Sequence, residues 1–465
     1  MDDMPTSGSV GPASGCQLLP PAEPRQLDTV DARPFRGLRY HLPAIGDLGA
    51  VLGPPDDVLS RSAALTLAAA HPRHSLLLEV PDPDGVHFTE AATRLRRWQA
   101  EGVLQFDPKP AFYVYEHRYP VPSGVRSRFG VFVALRLDEV GRYSVLPHES
   151  VTPTVLAQRL SLLRTARADL SAIYTLAPAG GRLAAVLREI AAVEPVAVVA
   201  ETGSGQHSLW VLSDPVAIDT VCQALSGLPV VIADGHHRYA AARRYRQELR
   251  QAGLDSRLAD FALAHIVDAD DPGILIRPIH RVVRAFGTVS WSDFLAHLER
   301  HFAVEHRPLA SPGDLTTVEA AVQAMADERG WPVYLALAPG GRELVWLRLR
   351  EWADVEHLLP RQRSDAYRRL DATIFEAVVL RHLLGLDDPL REAVVTFTPE
   401  VDEAVRLVSQ RAARAAFFLR PTPLQDVLAV ARGGEVMPPK STYFFPKIPL
   451  GLVFYDLAGP APEER

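Results

Sequence analysis

Apolar and polar positions along the chain change period repeatedly. RSAALTLAAAHP (61–72), TEAATRLRRWQAEGVL (89–104) and TPTVLAQRLSLLRTARAD (152–169) return to apolar residues every three or four positions, which predicts amphipathic helices. AFYVYEHRYP (111–120) and RFGVFVALRLDE (128–139) instead carry the runs of a strand pair, and HSLLLEV (74–80) reads as a further strand. AVVAETGSGQHSLWVLSD (197–214) predicts two strands around a glycine-rich turn, and LPVVIADG (228–235) a strand running into the helix HHRYAAARRYRQELRQAG. On that helix Ala241, Tyr245, Leu249 and Ala252 are expected to face the core, and Arg243, Arg244 and Arg246 the solvent. Later segments continue the alternation: a helix over 291–302, a hairpin over 331–349, helices over 371–385, 401–414 and 423–434, and a strand at 417–420. The pattern is mixed α/β.

At 465 residues the chain exceeds what one ordinary core serves, so more than one folded region is expected. Residues 1–34 mix Pro, Gly, Ser and acids without a hydrophobic period and read as a flexible leader. The expected division is then 35–290, 291–457 and a tail over 458–465. A formal charge of -7 argues against a surface built to hold nucleic acid. Two cysteines, Cys16 and Cys222, are too few for a disulfide framework, which suits a reducing, cytoplasmic compartment. The start MDD lacks a signal peptide, and no apolar run reaches the roughly 18 residues that span a bilayer.

Chemistry concentrates in VVIADGHHRYAAA. A strand that turns at Gly235 into a helix leaves N–H groups unpaired at the helix start, where the dipole favours anions. Arg238 can fork onto phosphate or carboxylate oxygens, while His236 and His237 can donate, accept or carry protons. Asp234 is either a cap or a holder of a histidine or metal. LPHESVTP sets His148 and Glu149 between two prolines, suited to moving a substrate proton, although Glu149 can also cap the next helix. Arg159 and Arg164 follow on that helix, facing solvent or assisting with an anion. MPPKSTYFFPK gathers Lys440, Ser441, Thr442 and Lys447 into a stiff loop, either a phosphate clamp or a surface loop over a strand edge. Neither a Walker loop nor an HExxH zinc motif occurs.

These blocks carry a resemblance. FRGLRY (35–40), PPDDVLS (54–60), PAFYVYEHRY (110–119), LPHESVTPTVLAQRLSLL (146–163), ADGHHRYAAA (233–242) and MPPKSTYFFPK (437–447) resemble the family called domain of unknown function 1015, from about Phe35 to Leu457. Asp56 stands where that family commonly has tyrosine. GHHRYAA is similar to the phosphate-holding boxes of sulfiredoxin and ParB-type proteins. The resemblance implies a ParB/sulfiredoxin-like core with large insertions and a second α/β subdomain, a fold whose relatives include a free-serine kinase. Sulfiredoxin chemistry needs a thiol where this chain has His236, which argues against sulfinic acid reduction.

The expected activity is transfer of a phosphoryl group from ATP or another nucleotide to a small hydroxyl-bearing metabolite. Gly235, His236, Arg238, Lys440, Ser441, Thr442 and Lys447 would hold the nucleotide. Glu149 would act as base with His148, His237 and Asp234 beside it, and Asp234 and Glu149 would hold Mg²⁺. The alternatives are a nucleotide-operated ParB-type switch and a metal-dependent hydrolase using Asp234, His236, His237, His148 and Glu149.

Overall fold

The strongest apolar runs form the middle of a mixed sheet in the computed structural model, which describes residues 27–55, 59, 61–79, 86–201, 205–255 and 257–462. Its nine strands are β1 (Ala32–Arg33), β2 (Phe112–Val121), β3 (Gly124–Arg136), β4 (Val145–Leu146), β5 (Ile173–Ala177), β6 (Ala197–Glu201), β7 (Gly205–Leu212), β8 (Val230–Asp234) and β9 (Phe261–Asp268). They lie in the order β4-β8-β5-β9-β3-β2-β7-β6, with β1 extending the β2 side of β3. The pairs β4/β8 and β5/β9 are parallel and the others antiparallel. Consecutive residues of β2, β3 and β9 are buried, as expected of strands covered on both faces.

A second, antiparallel sheet contains β10 (His280–Val283), β11 (Phe302–Pro308), β12 (Val333–Leu337), β13 (Glu343–Leu349), β14 (Val395–Thr398) and β15 (Ala415–Phe418), ordered β11-β13-β12-β15-β10-β14. Helices pack on both of its faces, giving two further apolar clusters around Phe375 and Phe417 on one side and Val405 and Trp346 on the other. Three helices lie near the strand ends where the chemistry gathers: α1 (Pro153–Ala166), α2 (His236–Gln251) and α3 (Val401–Ser409).

The last part of the chain does not stay with the second sheet. Tyr443–Phe445 pairs with Leu275–Arg277, Leu450 bridges to Gly53, Phe454 to Leu38, and Tyr455–Asp456 pairs with Ala168–Asp169. Leu452, Val453, Phe454 and Tyr455 are buried in the core of the large sheet. At the other end, the expected leader over 1–34 includes residues that belong to the fold. Val30 is 7% exposed, and Ala32 and Arg33 pair with Leu135 and Ala134.

Three local expectations change. Over its described residues, 74–79, HSLLLEV is not a strand: Ser75–Leu78 forms a 3₁₀ turn whose start is capped by His74 Nδ1, accepting the Leu76 N–H at 3.2 Å. A short apolar run has no period that separates strand from helix, and here a side-chain cap decides. Leu249 packs partly buried against the core as expected, but Ala252 is exposed on α2 and Arg246 is buried. Its guanidinium donates to the carbonyls of Leu137 (2.8 Å) and Asp138 (2.7 Å), tying α2 to the end of β3. Arg246 shares a face with Tyr239 and Ala242, and its long stem lets a charge occupy an otherwise apolar face. Arg246→Ala leaves two carbonyls without their donors and should cost about 2 kcal/mol, read as a lower denaturant midpoint at unchanged m.

Candidate functional site

The register of β8 against β5 shifts between Ile232 and Asp234, so one extra residue kinks the strand just before it ends. Gly235 follows at φ 91°, a conformation that side-chain-bearing residues rarely adopt, and caps α2 without any side-chain hydrogen bond. A Cβ at 235 would lie 2.8 Å from Arg238 Nε, so the missing side chain is also what lets the guanidinium fold back over the turn. The first N–H groups of α2 and the Arg238 fork therefore emerge on the same side.

Asp234 holds these cations in place. Its Oδ2 accepts from Arg238 Nη2 at 2.9 Å, and its Oδ1 lies 2.9 Å from Lys447 Nζ. Burial raises the Asp234 carboxyl, but Lys447 and Arg238 outweigh it and hold the group below the usual carboxylate range. Because the folded value is depressed, the stabilisation is fully present above about pH 4 and is lost as pH falls through the folded value. Asp234→Asn should therefore lower stability at pH 7 by about 3 kcal/mol and flatten the acid limb of the stability profile below pH 4. Denaturation midpoints between pH 2 and 7 test this.

The late lysine loop reaches the turn from the C-terminal segment. Lys440 is exposed, in the left-handed region at φ 59°, and Lys447 packs over the Tyr443 ring. Thr442 Oγ1 is 3.0 Å from His148 Nε2. Ser441 is buried, its hydroxyl donating to the Pro438 carbonyl at 2.6 Å, so it supports the loop from behind.

Glu149 is half-buried in the same place. Burial pushes its carboxyl up against the lowering effect of Lys440, whose side chain and backbone N–H both face it; Asp234 pushes it up further. His148, beside it in sequence, is buried behind the wall. Its Nδ1–H donates to the Ile232 carbonyl, leaving Nε2 to accept from Thr442. Burial lowers its pKa to about 4, so the ring is neutral and works as a brace between β8 and the lysine loop. His236 Nε2 accepts the His148 N–H at 3.3 Å, and His237 Nε2 accepts the Thr152 N–H at 2.9 Å. Burial lowers the pKa of both rings as well.

Glu149, Gly235, Arg238, Lys440, Thr442 and Lys447 line one cleft of about 570 Å³, together with Asp234, His236 and His237. Arg159 of α1 also enters it, held by Glu79 at 2.7 Å, while Arg164 lies outside and pairs with Glu248. The opposite wall comes from the second sheet: Ile279, Phe397 to Glu400 around the end of β14, and Glu403 of α3. Glu400 is paired with Arg277, and Glu403 accepts from Thr398 at 2.6 Å. No sequence motif marks this wall, because its residues are an ordinary strand end and first helical turn that only the packing of the two sheets brings to the cleft. Asp56, the family departure, lies outside the described residues, as do Cys16 and the tip of the 202–204 turn.

A cation fits this donor set poorly. Both Asp234 oxygens already face cationic side chains, and the nearby imidazoles are bonded to backbone groups. Among the described residues no group of three or more His, Cys, Asp or Glu side chains is arranged to hold a metal. Direct coordination of Mg²⁺ by Asp234 and Glu149 therefore does not suit this cleft.

Fold and cleft together define a mixed α/β protein with a cleft lined by both cationic and acidic side chains at a strand-to-helix turn. The chain belongs to the DUF1015 family, whose model matches residues 32–373 and whose members are described as proteins of unknown function. No curated protein matches the chain. Among solved structures, a free serine kinase in complex with AMP is 13% identical, with 70% of this chain and 92% of that one covered at a TM-score of 0.31. A conserved hypothetical protein from Pyrococcus furiosus is 13% identical (70% and 95% covered, TM-score 0.31). SbnI from Staphylococcus aureus, with a C-terminal truncation, is 12% identical (68% and 85% covered, TM-score 0.34). Likenesses this distant say nothing of activity. Among the described residues no helix is long and apolar enough to cross a membrane.

Proposed function

We propose that the protein is a nucleotide-dependent phosphotransferase acting on a small hydroxyl-bearing metabolite, with the Gly235 turn serving as a ParB/sulfiredoxin-like phosphate box. The observation that carries this reading is the convergence of Arg238, Lys440 and Lys447 on one cleft with Glu149, a carboxyl whose pKa is raised. Anionic oxygens are met by backbone N–H groups, a guanidinium and two ammonium groups. One nearby carboxylate is left to accept a proton.

In the reaction the terminal P–O bond of the nucleotide breaks as a new P–O bond forms to the acceptor oxygen. The hydroxyl proton passes to Glu149, and the nucleotide, one phosphate shorter, leaves with the bridging oxygen. Positioning and charge neutralisation supply most of the acceleration. His148 and Ser441 act from behind the wall: His148 sets Thr442, and Ser441 sets the loop carrying Lys440. In this reading residues 35–290 supply the phosphate box, the region after 290 closes the cleft, and the protein works in the cytoplasm.

The test is incubation with ATP, ADP or CTP and Mg²⁺, with and without serine and other hydroxy acids, followed by ³¹P NMR. Phosphorylated product and nucleotide loss that depend on the acceptor support the reading. Tight nucleotide binding without turnover of any acceptor would replace it with a nucleotide-operated switch.

A further inference from the structure

A second cleft, of about 670 Å³, opens where the β12/β13 pair ends. Gly330, at φ 97°, turns the chain into β12 and presents Trp331; Trp352 follows the end of β13. The Leu349 N–H donates to the Pro332 carbonyl at 3.0 Å, which fixes the two ends side by side. The indole rings stand 6.3 Å apart and 14° from parallel. Arg369 lies over the Trp352 ring at 5.1 Å, while Trp331 remains 46% exposed. A large aromatic left in water beside a ring that already holds it parallel is a stacking platform without an outer layer.

The polar groups around the platform are of two kinds. Arg420 and Asp371 form the floor and satisfy each other, with bonds of 2.7 and 2.9 Å, while Arg420 also donates to the Glu328 carbonyl at 3.0 Å. The Glu328 carboxylate is held by Arg348 at 2.6 Å, which leaves Arg329, Arg369 and Asp426. Arg329 donates only to the backbone carbonyls of Ala326 and Asp327, and Arg369 makes no direct ion pair among the described residues, although its charge helps to lower the Glu356 carboxyl. Asp426, on the far wall, has no side-chain partner among the described residues, and burial together with Asp371 pushes its carboxyl up.

We propose that this cleft binds a planar aromatic ligand carrying an anionic group: the ring stacks on Trp331, Arg329 and Arg369 meet the anion, and Asp426 accepts a ring-borne N–H. A flat ring recovers the exposed indole face, and guanidinium groups without a direct ion pair are suited to an acidic substituent. The site is separate from the phosphate cleft and does not depend on the activity proposed for it.

The experiment uses the full chain labelled with 5-fluorotryptophan and titrated with 4-aminobenzoate, a flat ring with an amine and a carboxylate, while ¹⁹F NMR follows the Trp331 and Trp352 signals. Saturable shifts with a Kd below about 1 mM are expected. Trp331→Ala should weaken binding at least about tenfold, whereas Trp331→Phe should stay within about threefold of the parent chain. Arg329→Gln combined with Arg369→Gln should also weaken it at least about tenfold. Arg238→Ala, in the other cleft, should leave it unchanged. Equal shifts from cyclohexanecarboxylate, undiminished binding by Trp331→Ala, loss of binding in Arg238→Ala, or no saturation by about 10 mM would each overturn the proposal.

Discussion

Glu149→Gln is expected to lower acceptor phosphorylation by about 10²- to 10⁴-fold while nucleotide affinity stays within a few fold. The substitution keeps the shape of the side chain and an oxygen for the Lys440 N–H, but removes the only function a base must have. The pH profile separates this role from a structural one. Burial and Asp234 push the Glu149 carboxyl above its ordinary value, so turnover by the parent protein should rise with pH through that raised value. The Gln variant should lose this limb and keep whatever other dependence remains. A variant that turns over at the parental rate, or retains the limb, would remove Glu149 from the reaction.

The second large effect concerns Arg238. Arg238→Ala should weaken nucleotide binding by about 10- to 100-fold, the range expected when a charge-assisted, forked contact to an anion is deleted. The variant also takes one of two cations from Asp234, whose other oxygen keeps Lys447, so a modest stability loss is expected alongside. Arg238→Lys distinguishes the two consequences. It restores a positive charge near Asp234 and the fold's stability, but presents a point charge in place of a planar fork, so affinity should recover only in part. Calorimetric titration with ATP and ADP measures both variants. Unchanged affinity in Arg238→Ala would mean that the Gly235 turn does not hold phosphate.

Much of this cleft is legible in the chain because each of its main parts is local. Gly235 after VVIAD announces a strand-to-helix turn, and Pro147 with Pro153 announces a stiff loop presenting Glu149; the structure brings both to one cleft. The same local logic does not separate pocket-lining residues from those one layer behind. His148 and Ser441 have the chemistry of site residues, yet bonds to Ile232, Thr442 and Pro438 turn them into supports. Arg246 departs from expectation for the opposite reason: charge predicts exposure, and the two carbonyls at the end of β3, with Glu139 at 3.3 Å, explain its burial. Phe397, Glu400 and Glu403 leave no signal at all, since packing between the two sheets and not any motif delivers them.

The return of the final segment to the first sheet sets the timetable of assembly. Lys447 must meet Asp234, more than two hundred positions earlier, and the strand pair that anchors it joins Tyr455 to Asp169. During synthesis on the ribosome the glycine turn and α2 can form long before these partners leave the exit tunnel. Asp234 and Arg238 must then wait with only each other for company. A nascent chain halted before residue 440 should carry all nine strands of the large sheet but an open cleft, because Lys440, Thr442 and Lys447 have yet to join it.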